Sequence, residues 1–270
     1  MASIEGTFLD FKDLDRFASG DTVIHNLDPR AKVLVTALFI FTVVSFGRYE
    51  LTALLPFFIF PAVIMALGNL PASYIVRKVA VIVPFAIVVG MLNPFFDRRV
   101  LVHIGTLDIT GGWISFASII VRALLTGGAA IILVGVTGFP AICTALERMG
   151  MPQPFAVQLL FLYRYIFVLT DEGVRMSRAR ELRSFGDKGM GMGSYGPLLG
   201  HLLLRTWERA ERIHMAMLAR GFTGAFHSRR TYRFGGKEVI FLLGWSVLFI
   251  FMRLQNASRL LGALATGVCR

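Results

Sequence analysis

The chain has 270 residues, 55% of them hydrophobic and 24 of them Phe, with a mean hydropathy of +0.66, above the roughly 45 to 50% apolar usage of soluble domains. Its net charge of +11 is carried mostly by Arg, which on a membrane protein marks loops held in the cytoplasm before it marks nucleic acid as a partner. Two cysteines, Cys143 and Cys269, stand too far apart to suggest a zinc or disulfide framework.

Residues 1–30 contain several acids and no apolar run of signal-peptide type, so they read as a cytoplasmic N-terminal segment without a cleaved leader. A membrane-crossing helix needs about 20 largely apolar residues. Stretches at 31–46, 51–67, 79–96 and 113–139 meet or approach that length and make 31–139 a four-helix transmembrane region. These spans carry no Asp, Glu or His, the residues an ion-coupled carrier places inside the membrane. Arg122 is the charge set deepest in a span; at a helix centre it costs about 2.5 to 3.5 kcal/mol. It therefore calls for a headgroup, a water-accessible face or the carbonyls of a neighbouring helix. Between spans three and four, "RRVLVHIGTLDITGG" alternates apolar and polar residues before a Gly-Gly pair, which reads as a small external hairpin or an irregular cap. His103 and Asp108 within it fall short of a metal-ligand set.

Residues 155–169 are apolar but short for a span, follow "MPQP" and contain Gln158 and Arg164. If they do not cross, Arg30, Lys32, Arg77, Lys78 and Arg148 share one side with the Arg-rich stretch 175–233, and only Arg48, Arg98 and Arg99 of the short loops fall outside. That arrangement satisfies the positive-inside rule better than six spans. It makes 140–236 cytoplasmic and 237–270 the last transmembrane helix with an external tail. Lys237 and Arg253 can snorkel from the ends of that last helix. The fold class is an all-α integral membrane protein with about five transmembrane helices and a cytoplasmic helical segment.

Within the cytoplasmic segment, "DEGVRMSRARELRSFG" predicts a helix continuing from 155–169 and stopping at Gly186. "GMGSYG", Gly191 to Gly196, matches G-x-G-x-x-G but has no βαβ context, so it reads as a linker. A second helix runs from Pro197 to Gly221, with Leu199, Leu202, Leu203, Ala210, Ile213 and Met217 near one face and Arg205, Arg209 and Arg212 on another. Glu211 and His214 have the spacing of a di-iron ligand pair but lack the further Glu residues such a site needs. No Walker A sequence is present, so ATP is not hydrolysed by this chain.

Each helix ends near an Ala-Arg pair, Ala179-Arg180 and Ala219-Arg220. A small residue there permits close approach of another backbone, and the guanidinium can fork onto a carboxylate. Anionic lipid headgroups, at about 1 kcal/mol per basic residue, are the alternative partner. The duplication with matched endings favours a twofold protein partner. A membrane-embedded enzyme gripping phosphate-bearing lipid is a further alternative; it would want an acidic Mg²⁺ cluster, whereas Asp171, Glu172 and Glu181 are scattered among Arg residues.

"HNLDPRAKVL", "SRARELRSFG" and "AMLARGF" together resemble the transmembrane T component of energy-coupling factor transporters, the CbiQ/EcfT family, over about residues 26–224. The first core reads Ala179-Arg180-Glu181, which is similar to the cobalt branch of that family. The resemblance implies a non-catalytic scaffold in the bacterial plasma membrane. Its ATPase-coupling residues would be Ala179, Arg180 and Glu181 with Ala219, Arg220 and Gly221, on two crossed coupling helices. Implied partners are two ABC-type ATPase subunits, which bind the ATP, and a separate membrane subunit that captures cobalt or nickel to supply cobalamin biosynthesis. No cofactor or metal site is expected in the chain itself.

Overall fold

The computed structural model describes residues 17–96, 100–104, 107–183, 195–224 and 234–254. Helix α1 (Pro29–Val44) starts as the sequence dictates. Asp28 is the N-cap, its Oδ1 accepting from the Arg30 N–H at 2.9 Å, and Pro29 occupies the first turn, where no N–H is needed. Helix α2 (Leu51–Leu67) is apolar throughout and tightens into a 3₁₀ turn at Leu55–Phe58, where Pro56 sits. Helix α3 (Ala72–Gly90) breaks pace at residues 81–82, just before Pro84. A short turn, Asn93–Phe96, leads to strands β1 (Val100–Ile104) and β2 (Leu107–Thr110), the hairpin expected from the alternating pattern. There follow α4 (Gly111–Thr137), α5 (Phe139–Arg148), α6 (Gln153–Arg183), α7 (Tyr195–Ala219) and α8 (Gly236–Leu254). The protein is thus an all-α membrane protein with one small hairpin. Among the described residues, Ala72–Gly90, Gly111–Thr137 and Gln153–Arg180 are long and apolar enough to cross a membrane, and Leu51–Leu67 is a shorter apolar helix.

The chain divides into two compact units. One comprises α1 to α4 with α8, and its centre is aromatic. Phe39, Phe57, Phe60 and Phe249 are buried, with centroid separations of 4.5 Å for Phe39–Phe60 and 5.4 Å for Phe60–Phe249, and Trp245 closes on Phe60 edge-on at 4.8 Å. Around them pack Val35, Leu54, Leu125, Ala129 and Ile132. Helices α3 and α4 meet at glycines. A Cβ on Gly127 would stand 2.5 Å from Ile82 Cδ1, and one on Gly90 2.9 Å from Phe116 Cδ2, so these positions set how closely the helices approach.

The corner between α1 and α2 is held by two arginines. Arg122 Nη2 donates to the Gly47 carbonyl at 2.5 Å, and Arg253 Nη2 donates to the Ser45 carbonyl at 3.2 Å while lying 4.6 Å over the Phe46 ring. The Ser45 carbonyl is at the C-cap of α1, without an intrahelical partner and at the negative end of the dipole, so a guanidinium suits it; Gly47 lies in the turn beyond, its carbonyl also accepting from the Glu50 N–H at 3.2 Å. Of the partners open to Arg122, the neighbouring carbonyl is the one found.

Candidate functional site

The second unit contains α6 and α7. Helix α6 begins with Pro154 in its first turn and runs unbroken for 31 residues, joining 155–169 to the first Ala-Arg core as one rod. Helix α7 ends as its sequence predicts. Gly221 has φ +75°, its N–H bonds Leu218 O at 2.9 Å, and Phe222 N–H bonds Met217 O at 3.0 Å, the paired bonds of a Schellman ending that satisfy otherwise orphaned carbonyls.

The two helices meet where Arg205 Nη1 donates to Glu172 Oε1 at 2.6 Å; Glu172 Oε2 also pairs with Arg175 at 3.2 Å on its own helix. Open clefts lie to either side. One of about 850 Å³ is bounded by Ala179, Arg180 and Arg183 of α6 with Pro197, His201 and Arg205 of α7. Another, of about 520 Å³, brings Phe161, Arg164 and Tyr165 of α6 against Arg209, Ile213 and Arg220 of α7. The pairing of the end of α6 with the start of α7, and the reverse, makes the helices antiparallel. The Ala-Arg cores therefore sit at opposite ends of the pair. At 1.5 Å of rise per residue, Arg180 lies roughly 12 Å along α6 from Glu172, and Arg220 roughly 22 Å along α7 from Arg205.

Ala179 and Ala219 are exposed, as are Arg220 and Gly221, whereas Arg180 is half-buried. Glu181 lies on α6, but its side chain is outside the described residues, as are Gly186, residues 191–194 of the Gly-rich motif, Arg229, Arg230, Arg233, Arg98, Arg99 and Arg270. Helix α7 turns part of the apolar face its spacing suggests inward, with Leu198 added and Leu199, Leu203 and Ala210 left outside. Leu198, Leu202, Ile213 and Met217 are half-buried, while Leu199 and Leu203 are 59% and 68% exposed. Glu172 and Arg205 meet on this side of the pair, at the edge of the half-buried stripe.

Other motif residues fall into structural places. Glu211 and His214 are exposed on α7, and His103 and Asp108 stand opposite each other in the hairpin register. Among the described residues no group of three or more His, Cys, Asp or Glu side chains could hold a metal. In "HNLDPRAKVL", His25 is buried, with Nε2 donating to the Phe17 carbonyl at 2.9 Å and Nδ1 2.7 Å from Thr22 Oγ1. Lys32 is buried as well and reaches the His25 carbonyl at 3.4 Å. The motif thus anchors the entry to α1. Sequence reading passed over the burial of Lys32 and the bridging part of Glu172. Helical spacing alone places Lys32 at a helix start, where cations are usually solvated.

The model of the family CbiQ, described as cobalt transport protein, matches residues 20–233. The energy-coupling factor transporter transmembrane protein EcfT of Thermosediminibacter oceani is 26% identical over 234 residues, covering 80% of this chain and 86% of that protein. The proteins of the same name from Streptococcus equi and Bacillus subtilis are 26% and 24% identical, covering 92% and 91% of this chain and 98% and 99% of their own.

Proposed function

Because the chain belongs to the CbiQ family of cobalt transport proteins, we propose that it is the energy-coupling membrane subunit of an ATP-driven importer of cobalt or nickel ions in a bacterial plasma membrane. The observation that carries the reading is the pair of Ala-Arg helix ends at opposite ends of one antiparallel helix pair. Each offers an exposed alanine for close approach beside a guanidinium, and two such ends suit two copies of one fold. The partners are two ATPase subunits that bind and hydrolyse ATP, and a membrane subunit that selects the metal. This chain holds no cofactor, performs no catalysis and transmits motion. Closure of the ATPase pair displaces the ends at Arg180 and Arg220, and the helices carry the displacement towards the metal-binding subunit.

The helix pair also bears on orientation. Although α6 is long enough to cross a membrane, Arg209 and Arg220 of α7 lie beside its Phe161 and Tyr165. Taking that stretch into hydrocarbon would draw those arginines in, at about 2.5 to 3.5 kcal/mol each. This favours a pair lying on the cytoplasmic surface, with five spans elsewhere.

Co-purification of the ATPase and metal uptake by Arg180→Ala, Arg220→Ala and the double variant test the reading. Truncating one partner of a buried charge pair typically costs about 2 to 5 kcal/mol, so each single variant weakens capture and the double abolishes uptake while membrane insertion stays intact. Arg229→Ala with Arg230→Ala is the control. Equal loss in the control would assign the arginines to lipid attraction.

A further inference from the structure

We propose that Glu172 is the pivot of the coupling pair, a positioning residue that sets the register between α6 and α7 and so the separation of the two Ala-Arg ends. The inference rests on the coupling reading above. Its ground is a two-pronged charged contact across a helix pair that buries few side chains fully among the described residues. From Gln153 to Arg183 the buried side chain is Ala156, near the far end of α6, and α7 has none among the described residues. Clefts open on both sides of the contact. At the contact itself both oxygens of one carboxylate are engaged, Oε1 by Arg205 at 2.6 Å across the pair and Oε2 by Arg175 at 3.2 Å within α6.

A guanidinium on one helix against a carboxylate on the other favours the register in which the two meet and leaves the angle about the contact free to change. Arg175 steadies the carboxylate in the rotamer that faces α7. The arms are unequal, roughly 12 Å to Arg180 and roughly 22 Å to Arg220. A given change of angle therefore moves the Arg220 end nearly twice as far. The two ATPase-facing ends would respond to one closure with different strokes.

The test is the distance distribution between spin labels at positions 182 and 218, both exposed and each beside one Ala-Arg core, in the full chain in lipid nanodiscs with Cys143 and Cys269 replaced by Ala. Because Arg205 is exposed, the bridge shifts the equilibrium by at most about five-fold. Glu172→Gln and Arg205→Gln should each raise the population outside the main distance peak by up to that factor. The exchange Glu172→Arg with Arg205→Glu, made together with Arg175→Glu so that the pair within α6 is reversed as well, should restore the peak. Glu208→Gln, whose carboxylate pairs with Arg212 of its own helix at 3.8 Å, should leave the distribution unchanged. An unaltered distribution in Glu172→Gln, or equal broadening in Glu208→Gln, overturns the pivot. The measurement needs no ATPase, so failure of the coupling reading would show separately, as full ATPase capture by the Arg180 and Arg220 variants.

Discussion

Replacing Phe249 by Ala tests what holds the membrane unit together. In lipid, an apolar side chain gains little from leaving its surroundings for the core, because acyl chains are as apolar as leucine. The water-transfer part of the usual core energetics therefore drops out, and the loss of packing remains. Phe249 is 1% exposed, and its ring stands 5.5 Å from Phe39, 5.4 Å from Phe60 and 5.7 Å from Trp245. Removing it opens about 100 Å³, which at about 24 cal/mol per Å³ of cavity costs about 2 to 3 kcal/mol. Lost ring–ring attraction adds to that, at about 0.5 to 1.5 kcal/mol per pair where pairs act independently. Phe251 lies two residues away on the same helix and is 50% exposed, so Phe251→Ala should cost less than about 0.5 kcal/mol. Equilibrium unfolding by dodecyl sulfate in mixed micelles, followed by circular dichroism, measures both. A loss below about 1 kcal/mol for Phe249→Ala, or one no larger than for Phe251→Ala, would refute the aromatic centre as the source of stability.

Arg122→Ala removes the bond to the Gly47 carbonyl and should destabilise the fold by about 1.5 to 3 kcal/mol, the range for hydrogen bonds to charged groups; the same unfolding assay checks it. An impermeant maleimide should fail to label a cysteine at position 190 in intact cells, and ready labelling would reverse the orientation. Cys143 is buried, and burial raises its thiol from 9.0 to about 11, so native protein should resist alkylation at pH 8 and react once denatured. Since the folded thiol binds its proton more tightly than the free one, its contribution to stability is present below pH 9 and is lost as pH rises towards 11, which a pH series of unfolding midpoints would detect.

Elements whose signal is local were legible in the sequence. The bounds of α2, the Gly221 ending of α7, the hairpin and the search of Arg122 for carbonyls all follow from hydropathy, a glycine or one misplaced charge. What escaped depends on partners far away in sequence. Twenty-four Phe residues announce an aromatic-rich protein but not that Phe39, Phe60 and Phe249 would meet. The inward face of α7 was read only in part, Leu202, Ile213 and Met217 but not Leu198, because its leucines fill more than one stripe and spacing does not choose between Leu198 and Leu199. In the candidate site, the two Ala-Arg pairs were readable as a duplication, whereas their placement at opposite ends needed the antiparallel contact.

The corner between α1 and α2 has a consequence for the lipid around it. Helix α1 has 16 residues and spans roughly 24 Å, against a hydrocarbon thickness of about 30 Å, while the 27 residues of α4 reach roughly 40 Å. Arg122 meets that corner roughly 16 Å below the start of α4. A bilayer edge that follows the helix ends would run lower beside α1 and Arg253 than at the start of α4. Such mismatch costs fractions of a kcal/mol per ångström, enough to gather short-chain or disordered lipids on one side of the molecule. The protein would then carry an asymmetric lipid annulus, and membrane thickness would act on its stability from that side first.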